Sequence, residues 1–121
     1  MNKEIIQSIT NFIQGGDESN LEKLNRVLHK DYRNIQSGFF AKKGLFIIDK
    51  KKYLSLIEKN IFGGIPRTME ILSIDVNGDI AFAKTILESE KMIFTSLITL
   101  IKENTKWYII GNYPHFDYKT E

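Results

Sequence analysis

The sequence predicts an α+β fold in which a curved antiparallel sheet wraps around N-terminal helices to form a cone. Near the start of the chain, apolar residues repeat with helical spacing, and from Arg67 onward they alternate with a period of two. The 121 residues fit one domain and contain no linker, repeat or low-complexity segment, so we expect one domain over residues 1–121. Helices that precede an antiparallel sheet are typical of α+β proteins, and such a cone would leave a tapered apolar hollow.

The first two helices follow from apolar spacing and from helix punctuation. Residues 3–14 carry one apolar stripe, and Gly15-Gly16 should end this helix. The segment Ser19–Glu22 matches a capping box, in which the Ser19 hydroxyl accepts from a free amide. A second amphipathic helix should follow and end near His29, where an imidazole suits the negative end of the helix dipole.

The middle of the chain alternates extended and helical patterns. Residues 31–40 are predicted to be extended, and the apolar run over residues 45–48 indicates a short strand. Asp49 can cap a third helix over residues 50–61, and Gly63–Pro66 should break the chain after it.

Four strands connected as a meander fill the second half. The dipeptide Asn77-Gly78 predicts a type I′ hairpin turn after the first of them. The others are expected over residues 80–87, 92–102 and 106–116. In the last strand, simple alternation places five residues on one face, namely Trp107, Ile109, Gly111, Tyr113 and His115.

Composition excludes several kinds of site. The chain has no cysteine, which excludes disulfides, thiolate nucleophiles and cysteine metal sites. Its two histidines are far apart, so we expect neither a metal site nor a cofactor. No stretch approaches the roughly 18 apolar residues of a membrane span, and the N-terminus lacks the apolar run of a signal peptide. We therefore expect a cytoplasmic protein without a membrane partner.

A cluster of lysines is a candidate for binding the phosphates of a nucleic acid. No arginine cluster or aromatic platform accompanies it, so a solvated surface is favoured over a phosphate-binding patch, and no nucleic-acid partner is expected. Its members are Lys42, Lys43, Lys50, Lys51, Lys52 and Lys59.

The element order and several local motifs resemble the nuclear transport factor 2-like superfamily, and within it the families described as putative lumazine-binding and SnoaL-like. The resemblance covers roughly residues 3–116. It is carried by Phe12–Asp17, Val27–Asp31, Ile74–Ala81, Phe94–Lys102 and Lys106–Ile110. Superfamily members include isomerases, dehydratases and non-catalytic binding domains, so the resemblance implies the fold and leaves the function open.

The resemblance also allows the catalytic positions of related enzymes to be compared with this chain. The position of the aspartate base in ketosteroid isomerase falls on or near Gln36, and that of its donor tyrosine falls on Ile9. An amide cannot take a proton at neutral pH, which counts against steroid-type proton abstraction. Ser96 stands where the lumazine-binding pattern often has an aspartate.

Candidate site residues come from the two strands that flank the expected hollow. Tyr32, Asn34 and Gln36 share one side of an extended segment, which either lines the hollow or faces solvent. His115 is a weak candidate for acid–base chemistry, or else a histidine at a frayed strand end. The predicted ligand-binding set is Tyr32, Gln36, Trp107, Tyr113 and His115.

Three functions remain open at this point. The first is a non-enzymatic module that binds a small apolar or planar molecule. The second is a SnoaL-like or ketosteroid-isomerase-like lyase or isomerase that works through His115. The third is a ligand-free interaction domain. Because both faces of the last strands carry bulky apolar residues, we also expect a homodimer formed through the sheet face.

Overall fold

A computed structural model describes residues 2–39 and 41–119. Phe40, the last residue of the predicted extended segment, lies outside the described residues, as do Met1, Thr120 and Glu121. The elements in chain order are α1 (Lys3–Asp17), α2 (Leu21–Val27), β1 (Leu28–Phe39), β2 (Lys42–Asp49), α3 (Lys50–Glu58), β3 (Thr68–Asn77), β4 (Ile80–Glu88), β5 (Met92–Glu103) and β6 (Lys106–Tyr118).

The six strands form one sheet in the order β2-β1-β6-β5-β4-β3. Every neighbouring pair is antiparallel except β1 and β6, which run parallel. The sheet is therefore mixed, because β6, the last strand of the chain, lies next to β1 and runs parallel to it. With three helices packed against this sheet, the predicted α+β cone is confirmed.

Helix α1 continues through the two glycines that were expected to end it. Gly15 and Gly16 are both buried and helical, and the helix ends at Asp17. A side chain on Gly15 would meet two Leu24 atoms at 2.9 Å, so this glycine lets α1 and α2 approach closely. The prediction that Gly15-Gly16 stops the helix was wrong, because Gly15 lies inside the helix where α2 packs against it.

Helix α2 is shorter than predicted, and its cap is a different residue. Asn20 Oδ1 accepts from the Lys23 backbone N–H at 3.0 Å, whereas Ser19 adopts a positive φ of 52°. The helix ends at Val27, so His29 lies in β1 and has no role at a helix end. Its ring instead forms a 3.0 Å hydrogen bond with Glu103 on β5.

The predicted cap of the third helix is confirmed. Asp49 Oδ1 accepts from the Lys52 backbone N–H at 2.9 Å, and α3 runs to Glu58 rather than to residue 61. The first hairpin is also present, but its two-residue loop is Gly78-Asp79. Only Gly78 has a positive φ, which fits a type II′ turn rather than the expected type I′.

A bulge in β6 decides which side chains enter the cone. Thr99 pairs with Gly111 and Leu100 pairs with Ile109, so Ile110 is the extra residue. Because side chains alternate along a strand, one extra residue exchanges the two faces for the rest of β6. The alternation predicted through His115 therefore holds only as far as Ile109.

The core fills the concave side of the sheet. Ile9 and Phe12 of α1 are buried there together with Ala81, Ile98 and other apolar residues. Ala81 is fully buried on this side of the sheet. Within the described residues, no helix is both long and apolar enough to cross a membrane.

Candidate functional site

A cavity of about 220 Å³ remains between the helices and the concave face of the sheet. Its walls are largely aromatic and aliphatic, and all of its polar lining except Ser89 and Tyr118 falls into two groups. The first group comes from three strands and consists of Asn34, Gln36, Ser96 and Asn112. The second comes from α3 and from the residue before β3, and consists of Tyr53 and Arg67. The aromatic lining residues are Phe12, Tyr53, Phe62, Phe94, Phe116 and Tyr118.

The three buried amides form a chain of hydrogen bonds, which we call the amide relay (Asn34, Gln36 and Asn112). Asn112 Nδ2 donates to Asn34 Oδ1 at 3.2 Å, and Asn34 Nδ2 donates to Gln36 Oε1 at 2.6 Å. Gln36 Nε2 then donates to the backbone oxygen of Gly38 at 3.0 Å. All three residues are at most 9% exposed.

The backbone of Gly38 fixes the polarity of the whole relay. A carbonyl oxygen only accepts, so Gln36 must turn its Nε2 toward it and its Oε1 toward Asn34. The same reasoning then orients Asn34 and, through it, Asn112. The relay therefore ends with the carbonyl oxygen of Asn112 as its one unused acceptor atom.

That acceptor has no partner among the described residues, and neither does the nearby hydroxyl of Tyr32. The two side chains lie close enough for Asn112 to lower the pKa of Tyr32, but their geometry falls short of a hydrogen bond. Burial, followed by the neighbouring Tyr53, has the larger effect and raises the pKa of Tyr32 well above its ordinary value. An unpaired buried polar atom costs about 1–3 kcal/mol, and among the described residues Asn112 Oδ1 and the Tyr32 hydroxyl are the buried side-chain atoms in this state.

The second polar group, which we call the Gly16 corner (Gly16, Tyr53 and Arg67), lies where α1, α3 and β3 meet. Arg67 donates from Nε to Asp17 Oδ1 at 2.6 Å, and its backbone N–H reaches Asp17 Oδ2 at 3.1 Å. Its guanidinium carbon stands 5.0 Å from the centre of the Phe94 ring, within cation–π range. This ion pair ties the end of α1 to the start of β3 and brings a cation to the cavity.

Tyr53 supplies a neutral hydroxyl to the same corner. Burial raises its pKa to about 12, the Arg67 cation opposes that shift, and the Asp17 carboxylate adds to it. The group therefore stays protonated at neutral pH and can donate a hydrogen bond.

The first strand places its predicted residues inside the cone. Gln36 lines the cavity, and Tyr32 is fully buried behind the lining, next to Asn112. The sequence left open whether Tyr32, Asn34 and Gln36 face the hollow or the solvent, and in the structure their side of β1 faces the interior of the cone.

The last strand places its predicted residues elsewhere, because of the bulge. Tyr113 is 41% exposed and the His115 side chain is 75% exposed, and both lie on the outer face. His115 contacts Asp117 at 3.4 Å in the open. Trp107 packs against the core before the bulge and does not line the cavity. The expectation that these three residues share one face of β6 was wrong.

Sequence reasoning missed Asn112 and Arg67 as site residues. Asn112 reaches the cavity only because the bulge exchanges the two faces of β6. Arg67 lines the cavity too, but the sequence predicted only the start of a strand there. Glycine inside a strand often marks a bulge, so Gly111 was the available signal. No group of three or more metal-binding side chains occurs among the residues that the structure describes.

Comparison with known proteins assigns the chain to a family. Residues 1–113 match the family described as "Putative lumazine-binding". The chain belongs to this family. Among curated proteins, none matches the chain.

Solved structures of the nuclear transport factor 2-like superfamily share the fold of this family member. A protein of unknown function from Shewanella baltica is 18% identical over 95% of this chain and 92% of its own, with a TM-score of 0.82. One from Methylobacillus flagellatus is 20% identical, with coverages of 98% and 91% and a TM-score of 0.78. A protein of unknown function with a cystatin-like fold from Nostoc punctiforme is 18% identical, with coverages of 96% and 90% and a TM-score of 0.77. At these identities the likeness concerns the fold.

Proposed function

We propose that this chain is a non-enzymatic binding module whose cone holds one small planar molecule that presents an N–H donor. The observation that carries this proposal is the unpaired carbonyl oxygen of Asn112, held at the end of a relay of fixed polarity. A site built around a buried polar atom strongly prefers ligands that satisfy it. The family description suggests a lumazine-type bicycle, which is planar and carries N–H groups.

The size and walls of the cavity support a ligand of this class. Drug-sized ligands occupy pockets of about 300–1,000 Å³, so a cavity of about 220 Å³ suits a smaller molecule of one or two rings. Phe94 and Phe116 stand 5.8 Å apart, and together with Phe12 they offer aromatic surface to a flat ring.

The side chains that line the cavity argue against an acid–base enzyme. Its described lining contains no carboxylate and no imidazole. Gln36 stands where an isomerase-like base would be needed, and His115 lies on the other side of the sheet. The lyase or isomerase alternative would therefore need a base that this lining does not offer.

The decisive experiment compares two ligands that share one ring system and differ in their N–H groups. Lumazine carries N–H donors on its pyrimidine ring, whereas 1,3-dimethyllumazine carries methyl groups in their place. Isothermal titration of both should show lumazine binding about tenfold to a hundredfold more tightly, since the methylated compound leaves Asn112 Oδ1 unpaired.

Two variants show whether the discrimination comes from Asn112. Asn112→Leu removes the acceptor and should bind both compounds about equally. Tyr32→Phe removes the neighbouring hydroxyl, which does not line the cavity, and should keep the wild-type preference. Equal binding of the two compounds by the wild-type protein would refute the donor requirement, and failure of both to bind would refute the proposed ligand class.

We further propose that the protein acts in the cytoplasm as a homodimer formed through the outer sheet face, without nucleic acid. Phe82 and Leu97 are almost half exposed on this face, although both are large and apolar. Lys84 lies within the patch and Asp75 and Asp117 lie on neighbouring strands, so an inverted second copy can bring opposite charges together.

The oligomeric state tests the homodimer directly. Leu97→Glu should convert a dimer into a monomer in sedimentation velocity. The matched control is Ile6→Glu, because Ile6 is 42% exposed on α1 and lies away from the outer face. A monomeric wild-type protein would contradict this interface. So would a dimer that Ile6→Glu disrupts and Leu97→Glu does not.

A further inference from the structure

The Gly16 corner contains a space with two hydrogen-bond donors around it. The point where a Cβ atom on Gly16 would stand is 3.7 Å from Arg67 Nη2 and 3.7 Å from the Tyr53 hydroxyl oxygen. All three residues line the cavity. The missing side chain of Gly16 therefore leaves room for a small group between a cation and a hydroxyl.

The guanidinium of Arg67 is only partly used by the protein. Asp17 binds its Nε, and the carboxylate's second oxygen is taken by the Arg67 backbone N–H. Neither Nη nitrogen has a hydrogen-bond acceptor among the residues that the structure describes, although the side chain is only 17% exposed. Both Nη nitrogens can therefore donate charge-assisted hydrogen bonds to a molecule in the cavity.

The Tyr53 hydroxyl is in the same situation. Its ring packs against Phe12, Tyr32 and Phe62, which fixes its position, and its oxygen has no hydrogen bond to a described residue. As a neutral hydroxyl it can donate its proton to an acceptor that also receives one from Arg67. The two donors thus converge on one space from different elements.

We propose that the Gly16 corner is an oxyanion subsite that takes the carboxylate of a planar aromatic acid. This inference rests on the proposed function, because it assumes that the ring of the same ligand lies in the cone. One carboxylate oxygen accepts from Arg67 Nη2 and from Tyr53, while the ring extends past Phe94 toward the amide relay.

Asp17 sets the charge that this subsite accepts. Its carboxylate already neutralises part of the Arg67 charge at 2.6 Å. A monoanion gains charge-assisted hydrogen bonds from the two donors, whereas a phosphate dianion meets more repulsion from Asp17. The subsite therefore prefers a carboxylate to a phosphate monoester.

The test uses lumazine, lumazine-6-carboxylate and lumazine-6-carboxamide at neutral pH. The acid and the amide have almost the same shape, so their affinity ratio reports the charge-assisted contact. We expect the acid to bind at least tenfold more tightly than the amide to the wild-type protein. Equal affinities within twofold would overturn the subsite even if lumazine binds, in which case the proposed function stands.

Gly16→Ala is the sharpest variant. The new methyl group would lie in ordinary van der Waals contact with its neighbours, so the fold should accept it, but it takes up space between the two donors that the carboxylate would need. In this variant the acid and the amide should bind with the same affinity within twofold. A Gly16→Ala protein that keeps the full preference would overturn the proposal.

The donors themselves are tested with variants that keep the local packing. Tyr53→Phe should reduce the preference for the acid severalfold. Arg67→Gln is combined with Asp17→Asn, because Asp17 is only 12% exposed and would otherwise remain as an unpaired buried charge. The double variant should lose the preference. If none of the three compounds binds, the subsite and the proposed function fail together; if only the acid binds, the subsite stands and the donor requirement at Asn112 fails.

Discussion

Replacing the middle residue of the amide relay should cost more stability than replacing its end. Asn34 accepts from Asn112 and donates to Gln36, so Asn34→Leu leaves two buried side-chain atoms without partners. Each unpaired atom costs about 1–3 kcal/mol, and a leucine of similar volume returns part of that. We expect a loss of about 2–4 kcal/mol from the free energy of unfolding, a large share of the roughly 5–15 kcal/mol of a typical domain.

The end of the relay behaves differently because one of its atoms is already unpaired. Asn112→Leu deprives only Asn34 Oδ1 of a partner, and it removes the unsatisfied Asn112 Oδ1 at the same time. The expected loss is about 1 kcal/mol. In the double variant only Gln36 Oε1 remains unpaired, so the double variant should be more stable than Asn34→Leu alone.

Equilibrium urea unfolding measures these differences. Trp107 is the chain's single tryptophan and packs against the core, so its fluorescence reports the transition. Asn11→Leu is the control: its amide pairs with Gln7 on the exposed side of α1, and its loss should change stability by less than about 0.5 kcal/mol. Equal losses for Asn34→Leu and Asn112→Leu, or strictly additive losses in the double variant, would refute the relay.

Two further predictions concern the glycines of α1 and the buried tyrosines. Gly15→Ala should lower the free energy of unfolding by about 1–3 kcal/mol, because its Cβ would meet Leu24 at 2.9 Å. Gly16→Ala should leave the free energy of unfolding unchanged or raise it by up to about 1 kcal/mol. Chemical denaturation of both variants shows which of them is the more stable. Because the folded pKa of Tyr53 is raised to about 12 from an ordinary value near 10, its contribution is complete below pH 10 and is lost as pH rises toward 12. Between pH 9 and 12 the free energy of unfolding should therefore fall less steeply with pH for Tyr53→Phe than for wild type. Part of the fall should remain in the variant, because the pKa of Tyr32 is also raised. An unchanged pH dependence in Tyr53→Phe would count against a buried neutral Tyr53 hydroxyl.

The parts of the fold that depend on local signals could be predicted from the sequence. The period of two after Arg67 predicted the meander, because each of these strands has one face in the core. Asp49 was identified as a helix cap because its side chain acts within four residues of its own position. Such signals do not depend on distant parts of the chain.

The glycines show where local signals mislead. A Gly-Gly pair usually ends a helix, but Gly15 lies inside α1 because Leu24 of the next helix occupies the space of its side chain. Gly111 similarly lies against Thr99 on the adjacent strand. In both cases a neighbour that is distant in sequence, or on another element, determines why glycine is present.

The candidate site depended on a feature that alternation alone cannot reveal. Residues 107–110 are all apolar or aromatic, so the sequence does not show which of two registers β6 adopts. The extra residue at Ile110 turns Asn112 inward and His115 outward. A single residue therefore moved the predicted site from a histidine, which could exchange protons, to an amide, which cannot.

This exchange determines the chemistry that the cone can support. An imidazole inside the cavity would offer a group that titrates near neutral pH, and hence a route to acid–base catalysis. The interior instead offers amides of fixed polarity, a tyrosine that stays protonated to about pH 12 and an arginine held by Asp17. An amide does not titrate and the Tyr53 hydroxyl stays protonated at neutral pH, so neither acts as a general base there, whereas both can orient a bound molecule. The proposed binding module therefore rests on side chains that keep one protonation state at neutral pH, combined with the buried carbonyl oxygen of Asn112, which no described residue pairs.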